Sequence, residues 1–132
     1  MDSATRQVVW QRAKGSCEYC RLPQAAAPFF AFHLEHIRAR QHGGDDNLAN
    51  LALACPDCNR FKGPNLSSID PETGETVDLF NPRTHSWDEH FAWRGARIVG
   101  RTSIGRATVR LLNINEERRM EMRAELQERG EL

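Results

Sequence analysis

The alternation of apolar and polar residues predicts short helices and strands in the first half of the chain. Helix formers between a capping serine and a glycine stop predict a helix over residues 3–14. The aromatic-rich residues 29–37 alternate in polarity, which predicts a strand, and the apolar residues 48–54 predict a second strand after a polar loop. Residues 58–62 have the character of the first turns of a helix, because glycine and proline follow them.

The second half is less regular, and its pattern predicts one strand and two helices. Residues 70–74 have the composition of a turn, and residues 91–99 predict a strand. A short helix is expected over residues 106–113. Asn115 is the expected cap of a charged helix over residues 116–129, which a glycine ends. Both halves together predict an α+β fold.

Length and composition favour a single domain. The chain has 132 residues, and we expect residues 64–132 to extend and pack on a core formed by residues 1–63. The longest apolar run, residues 22–34, is interrupted and too short to cross a bilayer, so no membrane partner is expected. The N-terminus lacks the pattern of a secretory signal, which predicts a cytoplasmic protein. Basic and acidic residues number 18 each, so the net charge of the chain does not by itself indicate a nucleic-acid partner.

Four cysteines form two matched pairs with a metal-binding spacing. Cys17 and Cys20 make one pair, and Cys55 and Cys58 make the other. Two such turns can surround one tetrahedral zinc ion, and four thiolates leave no position for water, so the predicted site is structural. Two disulfides or unrelated buried thiols are the alternatives, and a reducing compartment disfavours disulfides.

The residues around these pairs resemble the HNH endonuclease family. The similarity rests on short segments in the family's order, which are Glu35–His36–Ile37, Gly43–Gly44, Asn47–Leu48, Asn50–Leu51 and residues 55–63. It covers about residues 15–63, and the combination is far more specific than any one segment. The resemblance implies a zinc-stapled ββα-metal core, followed here by a C-terminal strand and helices.

The resemblance also implies a role for each matching polar residue. His36 matches the general base that takes a proton from water. Glu35 and Asn59 match ligands of a catalytic divalent metal, and an oxygen-donor pair of this kind suits Mg²⁺ or Mn²⁺. Asn50 matches the asparagine that holds the loop and thereby orients the His36 ring.

Two points on the first strand depart from the simplest form of this motif. Many family members carry aspartate where this chain has Glu35, and the extra methylene moves the carboxylate. Neighbours on a regular strand face opposite ways, so Glu35 and His36 can reach one phosphate only if the strand ends or bulges there. His33 lies two residues before Glu35 and is a candidate additional metal ligand.

Basic residues predict where nucleic acid binds. Arg60 and Lys62 lie close to Asn59 on the predicted helix and could neutralise phosphate charge. No acidic residue occurs between Glu89 and Glu116, a stretch that contains five arginines: Arg94, Arg97, Arg101, Arg106 and Arg110. Such a stretch can follow a phosphate backbone, although scattered solvent-facing arginines would give the same pattern.

The sequence therefore predicts a metal-dependent endonuclease that hydrolyses phosphodiester bonds in DNA. By the resemblance, its products carry 5′-phosphate and 3′-hydroxyl ends. One active site per chain makes a homodimer or larger assembly a further expectation for double-strand cleavage. Two alternatives remain open: a nuclease that acts on RNA, and a non-catalytic zinc-ribbon module that binds nucleic acid or a protein.

Overall fold

The computed structural model describes all 132 residues, which divide into two compact units, residues 1–65 and residues 66–132. Helices alternate with small antiparallel sheets in both units, so the α+β prediction is confirmed. The expectation of a single domain with a packed extension stays a prediction.

The first unit contains two α-helices, one two-stranded sheet and three single turns of 3₁₀ helix, which are Gln24–Ala26, Arg40–His42 and Leu48–Asn50. Its regular elements are α1 (Ser3–Arg12), β1 (His33–His36), β2 (Leu51–Ala54) and α2 (Pro56–Lys62). Strands β1 and β2 are antiparallel, with His33 opposite Ala54 and His36 opposite Leu51. Every residue of β2 is buried, so this strand forms the centre of the unit, together with Val9 and Tyr19.

Strand β1 is much shorter than the predicted strand over residues 29–37. The amide of Gln24 donates to the Phe30 carbonyl (2.8 Å) and accepts from the Phe32 N–H (2.9 Å), so these backbone groups do not join a ladder. Phe29 and Phe30 are exposed. The first helix is capped by Asp2, whose carboxylate accepts from Thr5, and not by the serine that follows it.

The second unit contains three helices and two hairpins. Its elements are β3 (Ser67–Ile69), β4 (Thr76–Asp78), α3 (Trp87–His90), β5 (Phe91–Arg94), β6 (Arg97–Gly100), α4 (Ser103–Leu111) and α5 (Glu117–Glu128). The predicted single strand over residues 91–99 is wrong, because Gly95, with φ near 60°, turns the chain into a hairpin. The pattern also missed α3 and the β3–β4 hairpin that surrounds the predicted turn.

Both predicted C-terminal helices exist, but α4 begins three residues earlier than predicted and α5 has a different cap. Helix α4 begins at Ser103 because the Thr102 hydroxyl accepts from the Gly105 N–H (3.1 Å). Glu116 caps α5, whereas Asn115 is used elsewhere. The Asn115 amide makes two hydrogen bonds to the backbone of Ile98, which ties this segment to β6.

Aromatic and aliphatic side chains form the core of the second unit. The rings of Phe80, Trp87 and Phe91 are in contact, with centroids 5.0 and 5.2 Å apart. A Cβ at Gly105 would lie 2.0 Å from the His90 carbonyl oxygen, so only glycine permits this approach of α4. Arg119 and Arg123 are buried, and their guanidinium groups donate to backbone carbonyls.

None of the helices has the length and apolar character that a membrane crossing requires.

Candidate metal centre and active site

The four cysteines predicted to bind zinc converge in the first unit. Their Sγ atoms all lie within 4.8 Å of one another, every one of the four residues is buried, and no disulfide is present. Cys20 Sγ and Cys55 Sγ are 3.7 Å apart. Sulfur atoms at two corners of a tetrahedral zinc site with 2.3 Å bonds are about 3.8 Å apart. The cluster therefore has the ligands and spacing of a structural zinc site.

Local backbone structure brings the two pairs together. Cys55 occupies the N-cap of α2, where its sulfur accepts from the Cys58 N–H (3.4 Å). The first pair lies on a turn held against β2 by Glu18, which exchanges two hydrogen bonds with the backbone of Leu53 (2.8 and 2.9 Å). The same two elements, β2 and the start of α2, thus place all four sulfur atoms.

Burial raises the pKa of the Cys17 and Cys58 thiols well above the ordinary value. Four thiolates in this position therefore need a cation to compensate their charge. The donor set fits Zn²⁺, and the sequence prediction of a four-cysteine cluster is confirmed.

A cleft of about 380 Å³ opens at the end of β1. Its walls include Glu35, His36 and Asn59, together with Arg40 and the glycine and proline that end α2. Strand β1 ends at His36. Glu35 and His36 therefore reach a common cleft because the strand ends there, which is one of the two arrangements, a strand end or a bulge, that the sequence analysis required.

Glu35 is buried, and its carboxylate is engaged by protein groups. Its Oε2 accepts from the Tyr19 hydroxyl (2.7 Å), and its Oε1 forms an ion pair with Lys62 Nζ (2.5 Å). Burial raises the pKa of Glu35, and the attraction of Lys62 opposes that shift. The carboxylate therefore lines the cleft with part of its charge compensated by Lys62.

Lys62 is only 2% exposed, in contrast to its predicted contact with phosphate. Besides the ion pair, its ammonium group donates to the Ile37 carbonyl (2.9 Å) and to the His36 carbonyl (3.3 Å). Lys62 thus joins α2 to the end of β1. Arg60, by contrast, is exposed, lies over the Phe61 ring and pairs with Asp57.

His36 contacts an acidic residue that the sequence analysis did not select. Its Nε2 lies 2.7 Å from Asp46 Oδ1, and Arg40 also binds the Asp46 carboxylate (2.9 and 3.1 Å). These hydrogen bonds, first from His36 and then from Arg40, hold the pKa of Asp46 below its ordinary value. His33, in contrast, is exposed and does not line the cleft.

Asn50 holds both ends of the loop between the two strands. Its Oδ1 accepts from the Arg38 N–H (2.8 Å), and its Nδ2 donates to the Arg38 carbonyl (3.0 Å) and the Asp45 carbonyl (2.8 Å). A Cβ at Gly44 would lie 1.7 Å from the same Arg38 carbonyl oxygen, so this close approach requires glycine. The loop that carries Asp46 is therefore fixed by several backbone contacts.

Asn59 lies on the first turns of α2, and its half-buried side chain lines the cleft. Its backbone makes the helical hydrogen bonds to Cys55 and Gly63. The side-chain amide has no hydrogen bond, so its oxygen is available to a ligand in the cleft.

The five arginines of the acid-free stretch belong to the second unit and do not share one environment. Arg94 and Arg97 are exposed and face each other across the β5–β6 turn. Arg110 is exposed on α4, and Arg101 is exposed with one hydrogen bond to the Asp88 carbonyl. Arg106 instead makes two hydrogen bonds to Asp70 (2.9 and 2.8 Å). Four of the five can therefore meet an anion without breaking an ion pair.

Sequence reasoning missed three residues of this site: Tyr19, Arg40 and Asp46. Asp46 follows the glycine pair in a polar loop, where a carboxylate usually needs no functional explanation. Tyr19 lies between the two cysteines of the first pair, and that position was the only available signal that it reaches the centre of the unit.

Comparison with known protein families matches residues 17–65 to the family described as HNH endonuclease. The matched segment contains both cysteine pairs and the residues from Glu35 to Asn59 that line the cleft. No curated protein and no solved structure matches the chain.

Proposed function

We propose that this chain, whose residues 17–65 match the HNH endonuclease family, hydrolyses phosphodiester bonds in DNA with the help of a divalent metal. The observation that supports this most strongly is the shared cleft of Glu35, His36 and Asn59. A general base and two oxygen donors in one cleft are the groups that metal-assisted hydrolysis of a phosphodiester requires.

In the proposed reaction, His36 accepts a proton from a water molecule. The oxygen of that water bonds to phosphorus while the bond from phosphorus to the 3′ oxygen breaks. The leaving oxygen keeps the electron pair and takes a proton from solvent, which leaves 5′-phosphate and 3′-hydroxyl ends. Asn50 contributes by holding the loop beside His36, so that the ring needs little reorganisation during the reaction.

Glu35 and Asn59 are the proposed ligands of Mg²⁺ or Mn²⁺. Their side chains fit such a cation in chemistry, because both offer oxygen donors to the same cleft and the Asn59 amide makes no hydrogen bond. When bound, the cation would neutralise charge on the phosphate and the leaving oxygen. Lys62 compensates part of the Glu35 charge, so we expect cation affinity to rise when nucleic acid brings its own negative charge.

Exposed arginines are the proposed contacts for the phosphate backbone. They are Arg60 in the first unit and Arg94, Arg97, Arg101 and Arg110 in the second. Lys62 and Arg106 are left out of this set, since each is held by a carboxylate of its own unit.

A plasmid cleavage assay tests the proposal. Zinc-loaded protein with Mg²⁺ or Mn²⁺ is expected to nick or linearise supercoiled DNA and to leave ends that a ligase can rejoin. The negative control omits the cation and avoids a chelator, because a chelator would also remove structural zinc. RNA of matched length decides the substrate class. Binding without cleavage under any metal would favour the non-catalytic module.

A further inference from the structure

The acidic residue beside His36 has a geometry that points to a specific role. We propose that Asp46 is the positioning residue of this site and that it holds His36 as the Nε2–H tautomer. Through Asp46, the hydrogen bonds that Asn50 makes to the loop also fix the position of the ring. The kinetic part of this inference rests on the proposed function, whereas its structural part does not.

The first argument concerns the two ring nitrogens. An ionised carboxylate only accepts hydrogen bonds, so the 2.7 Å contact with Asp46 Oδ1 places a proton on Nε2 of His36. In the neutral ring the other nitrogen, Nδ1, then keeps its lone pair. Nδ1 has no hydrogen-bond partner in the structure, and His36 lines the cleft. A ring held in this tautomer therefore leaves Nδ1 as the atom that can take a proton from water.

The second argument concerns how Asp46 itself is held. Asn50 donates to the carbonyl of Asp45, the residue immediately before Asp46, and makes two more hydrogen bonds to Arg38 at the far end of the loop. Asn50 does not bond to the His36 ring in this structure. The contacts instead run from Asn50 to the backbone at Asp45, and from the next residue, Asp46, to the ring.

Arg40 completes the arrangement. It binds the same carboxylate from the cleft side, with its guanidinium 2.9 and 3.1 Å from the two oxygens of Asp46. Asp46 is about half exposed, so a partner on each side restricts a side chain that would otherwise sample several rotamers in solvent.

Nuclear magnetic resonance tests the structural part directly. The ¹⁵N shifts of the His36 ring, measured in alkaline solution at a pH above which they no longer change, are expected to report the Nε2–H tautomer in the parent protein. Asp46→Ala is expected to give a mixture of tautomers. Asp45→Asn is the matched control, since Asp45 is in the same loop and its side chain contacts Asn47 and not His36. An unchanged tautomer in Asp46→Ala would overturn the proposal.

Kinetics test the catalytic part. Asp46→Ala is expected to lower kcat roughly 10- to 100-fold with little change in KM, because the ring is misplaced and binding is not. In the Asn50→Ala background the same change is expected to cost much less, because both residues act through one contact. Full additivity of the two effects, or a loss confined to KM, would contradict the proposal. If the parent protein does not cleave nucleic acid, the proposed function fails while the tautomer measurement still decides the role of Asp46.

Discussion

The two units bury their polar groups in different ways. In residues 1–65, four cysteines and the Glu35–Lys62 pair lie among very short elements, and the central strand has only four residues. In residues 66–132, contacting aromatic rings fill the core, and the buried Arg119 and Arg123 donate to backbone carbonyls. The first unit combines a candidate zinc site with a buried ion pair, whereas the second resembles an ordinary apolar core.

This difference fits the roles proposed for the two units, which are catalysis in the first and contact with the phosphate backbone in the second. A catalytic cleft needs polar groups held in fixed positions, and short strands alone supply little apolar burial for that purpose. Zinc ligation can supply the missing stabilisation without using any residue of the cleft, although Cys58 directly precedes Asn59. The second unit has no comparable cluster and presents exposed arginines instead.

Loss of zinc is expected to have the largest effect on folding and to affect the first unit much more than the second. Cys55→Ser should release zinc and disorder residues 17–65, because a structural zinc site contributes its binding energy to folding. Metal analysis and amide spectra of the full chain measure both effects. Signals of residues 66–132 should be less affected. A zinc-free variant with intact spectra and full activity would remove this part of the account.

Breaking the buried ion pair is expected to have the next largest effect. Glu35→Gln leaves the Lys62 ammonium buried without its counter-charge, which should lower the free energy of unfolding by about 3 kcal/mol. Glu125→Gln is the matched control, because Glu125 forms an exposed pair with Arg129 and should cost less than about 1 kcal/mol. Adding Lys62→Met to Glu35→Gln should recover part of the loss. Equal effects of the two single changes would contradict the assignment.

The Asp70–Arg106 pair of the second unit predicts a pH-dependent effect. Hydrogen bonds from Arg106 hold the pKa of Asp70 well below its ordinary value, so the stability gained is complete above the unfolded pKa of about 4. Asp70→Asn should therefore lower Tm at neutral pH, and the difference from the parent should shrink as the pH falls below about 4. Asp78→Asn, a change at an exposed acid without an ion pair, is the control. A Tm difference independent of pH would contradict this assignment.

The smallest effect is expected at the β5–β6 turn. The side chains of Arg94 and Arg97 face each other there without a hydrogen bond or ion pair, and like charges in that position destabilise a hairpin. Replacing both with glutamine should reduce the slope of log affinity against log salt for DNA by about 2 and slightly raise stability. Arg129→Gln, which removes an arginine already paired with Glu125, should leave the slope nearly unchanged. An unchanged slope in the double variant would exclude the turn from the interface.

The sequence predicted the first unit better than the second, for a physical reason. Cysteine spacing and the short motif around Glu35, His36 and Asn59 specify contacts between distant residues, so they identify a cleft as well as elements. In residues 66–132 only local polarity was available. It could not show that Asn115 bonds to Ile98 instead of capping a helix, or that Gly95 turns one apparent strand into two.

Side-chain partners were the least predictable part of the site. The pattern selected Lys62 for phosphate and Glu35 for metal, but it could not show that the two face each other in the interior. The resemblance selected Asn50, whose side chain makes three hydrogen bonds to the loop backbone, but it missed the carboxylate of Asp46 that the loop carries to His36. Such pairings depend on the loop conformation, which no local pattern encodes.

The role of His36 as the general base is tested most directly by comparing two histidine variants in the plasmid cleavage assay. His36→Ala is expected to lower the cleavage rate at least about 100-fold while zinc content and Tm stay close to those of the parent. His42→Ala, at an exposed histidine outside the cleft, should retain the parent rate. Cleavage by His36→Ala at the parent rate would contradict the proposed mechanism.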